Sequence, residues 1–245
     1  MRFSALAAAA AALLWAAVPA RALCKPGMVE IEGKFCIDKY EGALVDSSGA
    51  PWSPYQTPPA GATYRAVSLK GRVPQGYISG AQAQAACRNA GKRLCEAAEW
   101  LRACSGPSRQ PYPYGRDYRL QACNEHSRDP KHTGPLQRLH RGKPAYDLAT
   151  MNDPRVNQLP DTVAPAGAHE ACATSDGVYD LVGNLHEWTA EKNKGNGVFR
   201  GGYYNEAELN GSGCAYKTTA HLFEYHDYST GFRCCADSLP ASAFQ

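Results

Sequence analysis

The chain has 245 residues, enough to enclose one sizeable core, and no shift in composition marks a second domain. Its formal charge of +3 falls to about +1 once a leader carrying Arg2 and Arg21 is set aside, which leaves no basic footprint for nucleic acid or an anionic membrane. With 23 Gly and 17 Pro the architecture is rich in loops, and ten Cys without a single Cys-x-x-Cys spacing argue against a zinc or thioredoxin-like site.

Residues 1–22 read as a signal peptide: a basic start, an apolar run from Ala5 to Val18, and small residues at Ala20 and Ala22 that place the cut after Ala22. The run is short of the ~20 residues that span a bilayer, so no membrane span is expected. Leu23 is too large for a lipid-attachment site at Cys24. The mature domain, 23–245, is therefore expected to be secreted or periplasmic, where an even number of cysteines forms disulfides.

Met28–Glu32 and Phe35–Asp38 alternate apolar and polar residues about Gly33-Lys34, which predicts a hairpin. Val45–Tyr64 is rich in Pro, Ser and Gly and reads as an ordered surface loop, folded back by Trp52 and Tyr55. Ser79 is a good N-cap for a helix over 80–90, closed by Gly91. A second helix is expected over 96–104, with Glu96 and Glu99 at the positive end of its dipole and Trp100 and Leu101 on the core side. Periodicity then fails from Ser105 to Asp176; loops of this length are functional or strongly braced.

Gly177–Trp188 follows. Asp180 and Glu187 flank Gly183-Asn184, two residues that tolerate left-handed backbone angles. A loop bent there can aim both carboxylates and the intervening carbonyls at one point, a hard oxygen cage suited to calcium. Downstream, Phe199–Tyr204 and Thr230–Cys235 read as short core strands, with Arg200 and Arg233 expected to be buried in ion pairs or hydrogen bonds rather than catalytic. Tyr203-Tyr204-Asn205-Glu206 and His221–Tyr228 carry the remaining chemistry-bearing side chains. Glu206, His221 and His226 could form a two-histidine, one-carboxylate iron site, with Tyr203 beside it. His126, His132, His140 and His169 are scattered in loops without ligand spacing, and His186 reads as a packing residue.

Several of these stretches occur together in one family. Met28-Val29, Ala90-Gly91-Lys92-Arg93-Leu94, Glu99-Trp100, Gly177–Trp188, Arg200-Gly201-Gly202 and Gly231-Phe232-Arg233-Cys234, in this order, resemble the formylglycine-generating enzyme (sulfatase-modifying factor) family. The resemblance covers about 24–235. It implies an α+β fold, a variant of the C-type-lectin-like fold with little regular secondary structure. It further implies a calcium ion held by the side chains of Asp180 and Glu187 and the carbonyls of Gly183 and Leu185. A second calcium would involve Asn124, its carboxylate partner left open among Asp147, Asp153 and Asp161. Two disulfides carry over, Cys87–Cys234 and Cys104–Cys214. Beside them, Cys24 with Cys36 would close the hairpin, Cys123 with Cys172 would brace the middle loop, and Cys95 with Cys235 would remain.

Family enzymes oxidise a cysteine of their substrate with O₂ at a copper ion held by two cysteines a few residues after the Gly-Gly pair. Glu206 and Gly211 stand at the matching positions here, and neither offers the soft thiolate that copper(I) requires. Relatives that lack the cysteine pair perform other oxidations, for example in siderophore maturation. Two readings follow: a metal-dependent oxidase using iron or copper by another route on a small molecule or peptide, or a non-catalytic, calcium-braced, lectin-like module that presents Tyr203, Tyr204, Tyr225 and Tyr228 to a peptide or glycan.

Overall fold

The computed structural model describes residues 24–140 and 146–238, so the signal segment lies outside it. The expected hairpin forms as β1 (Met28–Ile31) and β2 (Phe35–Asp38), with Ile31 opposite Phe35. The supposed surface loop is flanked by a second hairpin that the sequence reading missed, β3 (Gly42–Val45) and β4 (Arg65–Ser68). Gly42–Val45 carries no polar side chain and Arg65–Ser68 does not alternate in sequence, so neither shows a strand period, and β3 is buried along its whole length. Trp52 does fold back, its ring centroid 5.0 Å from that of Tyr64.

Helix α1 (Gly80–Asn89) starts at Ser79, whose hydroxyl accepts from the Gln82 N–H while the Gln82 side chain accepts from the Ser79 N–H. A short strand, β5 (Arg93–Leu94), leads into α2 (Ala97–Ser105). Glu99 caps α2 by accepting from the Glu96 N–H, and Trp100 is wholly buried. The long middle stretch holds only short pieces, α3 (Pro135–Leu139), α4 (Leu148–Met151) and a 3-10 turn at Val156–Gln158. The C-terminal part contributes β6 (His186–Asn193), β7 (Asn196–Arg200), β8 (Lys217–Thr218), β9 (Thr230–Phe232) and β10 (Cys234–Asp237).

These strands make two four-stranded sheets, ordered β1-β2-β10-β5 and β8-β7-β6-β9, besides the β3-β4 hairpin. Strands β9 and β10 are separated by Arg233 alone yet belong to different sheets, so Arg233 stands at the corner where the chain crosses from one to the other. One apolar cluster surrounds Ile31, Ile37, Trp100 and Leu181; a second surrounds Ile78, Trp188, Phe199 and Phe232; a third is built on Tyr77, Tyr204 and Tyr228.

All ten cysteines are paired, as Cys24–Cys36, Cys87–Cys234, Cys95–Cys235, Cys104–Cys214 and Cys123–Cys172. These are the five pairs read from the sequence. The adjacent Cys234 and Cys235 point to opposite faces of β10, as alternation along a strand requires, and tie it to α1 and to the start of α2. Among the described residues, no helix is long and apolar enough to cross a membrane.

Candidate functional site

The corner at Arg233 brings the Gly177–Trp188 loop against both sheets. Arg233 is 1% exposed; its Nε donates to Glu187 Oε2 at 2.7 Å and its Nη2 to Glu187 Oε1 at 2.6 Å. The other guanidinium hydrogens go to the carbonyls of Asp38 and Tyr179, and Trp100 Nε1 donates to Glu187 Oε2 at 2.7 Å. Asp180 takes the left-handed conformation at φ 59°, and its Oδ2 accepts from the Gly167 N–H. Glu41 closes the cluster, accepting from the Leu185 N–H and the Asn184 side chain. Burial, with the charges of Asp180 and Glu187 added, raises the Glu41 carboxyl far above the usual carboxylate range; burial pushes Asp180 up to about 6.

Of the calcium ligands that the resemblance implies, Asp180 Oδ1 and the carbonyls of Gly183 and Leu185 receive no hydrogen bond among the described residues, while both Glu187 oxygens are engaged. Both Glu187 oxygens accept from the buried Arg233 guanidinium, and Glu41 and Asp180 add two further buried carboxylates beside it. Gly183 is pressed against the carbonyl of Asn124, where an added Cβ would lie 2.2 Å from the oxygen. Asn124 is partly used within the fold: its side-chain amide N–H groups donate to Thr162 O and Asn184 Oδ1, and its backbone carbonyl accepts from the Asn184 N–H. Of the three acidic candidates for a second ion, Asp161 adjoins Thr162, whose carbonyl accepts from the Asn124 side chain. Asp147 caps α4 through the Thr150 N–H, Asp153 pairs with Arg155, and Asp161 occupies a tight turn at φ 55°.

The iron triad does not assemble. His221 stacks on Tyr225 with centroids 3.9 Å apart, and His226 Nδ1 lies 2.7 Å from Asn152 Oδ1. The two line a largely apolar cavity of about 450 Å³ with Leu148 and Leu222. Burial lowers both imidazoles from their ordinary value, which keeps them neutral. Glu206 lines a different cavity, with Oε1 accepting from the Glu208 and Leu209 N–H groups at 2.6 and 2.8 Å. Among the described residues, no three His, Cys, Asp or Glu side chains converge as a metal site.

The cavity at Glu206 holds about 290 Å³ and is lined by His126, Asp129, His132, Tyr203, Asn205 and Tyr228 as well. Its polar side chains form one chain of contacts. His132 Nε2 is 2.9 Å from Asn205 Oδ1, Asn205 donates to the Tyr203 hydroxyl, and the Tyr203 and Tyr228 hydroxyls are 3.2 Å apart. The His126 and His132 rings stack at 4.2 Å, 3° from parallel. Two successive turns create that stack: Asp129 N–H donates to His126 C=O, and His132 N–H donates to Asp129 C=O. Sequence reasoning passed over this pair. The signal was a His-x-x-Asp-x-x-His spacing, which puts the three on one side of consecutive three-residue turns. Tyr204, expected to be presented to a ligand, is instead fully buried, its hydroxyl donating to Asn157 Oδ1. His186 is a packing residue, surrounded by Phe199, Tyr203 and Tyr216.

The fold and the motif order define a class of proteins, and comparison bears this out. The profile of the FGE-sulfatase family, described as the sulfatase-modifying factor enzyme 1-like domain, matches residues 29–238, and the chain belongs to that family. Among solved structures it is similar to PvdO from Pseudomonas aeruginosa, at 16% identity and a TM-score of 0.50, over 84% of this chain and 80% of that one. It also matches the P3c variant of the major tropism determinant at 16% identity and a TM-score of 0.48, covering 91% of this chain and 55% of that one. No curated sequence matches it. At these identities the likeness concerns the fold alone.

Proposed function

We propose that the chain is an exported, disulfide-braced binding module that holds a small polar group of a peptide or glycan in the cavity lined by Tyr203, Asn205 and Glu206. The observation that carries this reading is the convergence there of two histidines, three tyrosines, two side-chain amides and two carboxylates. All ten cysteines are paired in disulfides, which supports a cross-linked scaffold. The oxidase reading loses the donor set it rested on, because Glu206 and the His221–His226 pair line separate cavities. Fold kinship does not restore it, since function lives in the site rather than the scaffold.

The test is a peptide and glycan array probed with the secreted protein and with Asn205→Ala. Asn205 bridges His132 and Tyr203 at the cavity wall, so its loss should weaken binding of whatever ligand is found at least tenfold and leave thermal stability nearly unchanged. Elemental analysis decides the competing reading. A stoichiometric redox metal in the purified protein, with O₂ consumed in the presence of an array hit, would replace the module by an enzyme.

A further inference from the structure

We infer that the cavity selects a cationic nitrogen group, the ammonium or guanidinium of a basic peptide side chain; this rests on the binding-module reading above. Its walls carry two carboxylates, Asp129 and Glu206, and neither a lysine nor an arginine. Among the described residues, neither carboxylate has an ion-pair partner. Arg128, the nearest arginine in sequence to Asp129, is committed to Glu208, and Asp129 Oδ1 accepts only the backbone N–H of Lys131. Glu206 spends Oε1 on its own turn, and Oε2 has no protein donor among the described residues. The Tyr203 and Tyr228 hydroxyls and the Asn205 carbonyl oxygen add neutral acceptors to the same wall.

Size narrows the class further. At about 290 Å³ the cavity lies at the lower edge of ligand sites, which run from about 300 to 1,000 Å³. It admits one side chain rather than an oligosaccharide chain. An entering cation would find carboxylate oxygens and hydroxyls in a recess that replaces part of its hydration shell, the arrangement in which charge-assisted hydrogen bonds are strongest. An entering carboxylate or phosphate would meet like charge.

The experiment uses the secreted, disulfide-bonded protein and follows the imidazole proton resonances of His126 and His132 by NMR. Nα-acetyl-lysine methylamide and its arginine counterpart are titrated to millimolar concentration, with the norleucine analogue and methyl glucoside as neutral probes. Expected are saturable shifts of both histidines with a basic probe, weakened by added salt, and at least tenfold weaker binding for Glu206→Gln combined with Asp129→Asn. Gln keeps an oxygen for the Glu208 and Leu209 N–H groups, so the turn survives in that variant. Equal shifts with norleucine, or no shift with either basic probe, overturns the inference. Saturable binding of methyl glucoside alone also overturns it, yet leaves the cavity as the binding site.

Discussion

Replacing Arg233 by Met tests whether a guanidinium, rather than a metal ion, supplies the positive charge in the Gly177–Trp188 loop. The substitution keeps most of the apolar stem but deletes both donors to Glu187 and those to Asp38 O and Tyr179 O. Glu187, 1% exposed, would keep only Trp100 as a donor and would still face Asp180 and Glu41. Breaking a buried pair in this way costs about 3–5 kcal/mol, far above the ~1 kcal/mol of an exposed ion pair. Combining it with Glu187→Gln removes the stranded charge, so the double variant should recover about half of the loss, and a double-mutant cycle isolates the pair. The assay is urea denaturation at pH 7 with disulfides intact, with and without a calcium chelator. A loss below about 1 kcal/mol in Arg233→Met refutes the argument. A wild-type midpoint that falls on chelation would show that an ion shares these carboxylates with Arg233.

Other consequences are open to measurement. Burial holds the His186 imidazole down to about 3, against about 6.5 in the unfolded chain, so the fold accepts only the neutral form. Its contribution is whole above pH 6.5 and drains as pH falls through the window from 6.5 to 3, reaching a loss of about 2 kcal/mol at pH 5. His186→Phe should show a correspondingly flatter stability profile between pH 7 and 5, and an unchanged slope tells against the assignment. Gly183→Ala should cost at least about 2 kcal/mol in chemical denaturation, because φ is 77° and the new Cβ would sit 2.2 Å from Asn124 O. Removing the Cys123–Cys172 bridge, with a sequence separation of 49, should cost about 4 kcal/mol by loop entropy and expose the 105–176 stretch to limited proteolysis; protease resistance equal to wild type contradicts a bracing role.

Much of the scaffold was legible in the residues themselves. Ser79 announces where α1 starts, alternation about Gly33-Lys34 gives the first hairpin, and an even cysteine count without Cys-x-x-Cys spacing points to disulfides. These are local signals, carried by dihedral preference, capping and period. The β3-β4 hairpin left no such trace, because β3 is buried along its whole length and needs no alternation, and Arg65–Ser68 does not alternate in sequence.

The site divides in the same way. From the sequence, Asp180, Gly183 and Glu187 share one loop, Arg233 is separately expected to be buried, and Tyr203 and Glu206 fall in a polar stretch. Which group meets which was settled only in three dimensions. The one-residue crossing between β9 and β10 delivers Arg233 onto Glu187, and two tight turns in an aperiodic loop bring His126 and His132 to Asn205 while His221 and His226 turn away. Contacts between residues tens of positions apart depend on how sheets and disulfides fix the loops, and no local preference encodes that.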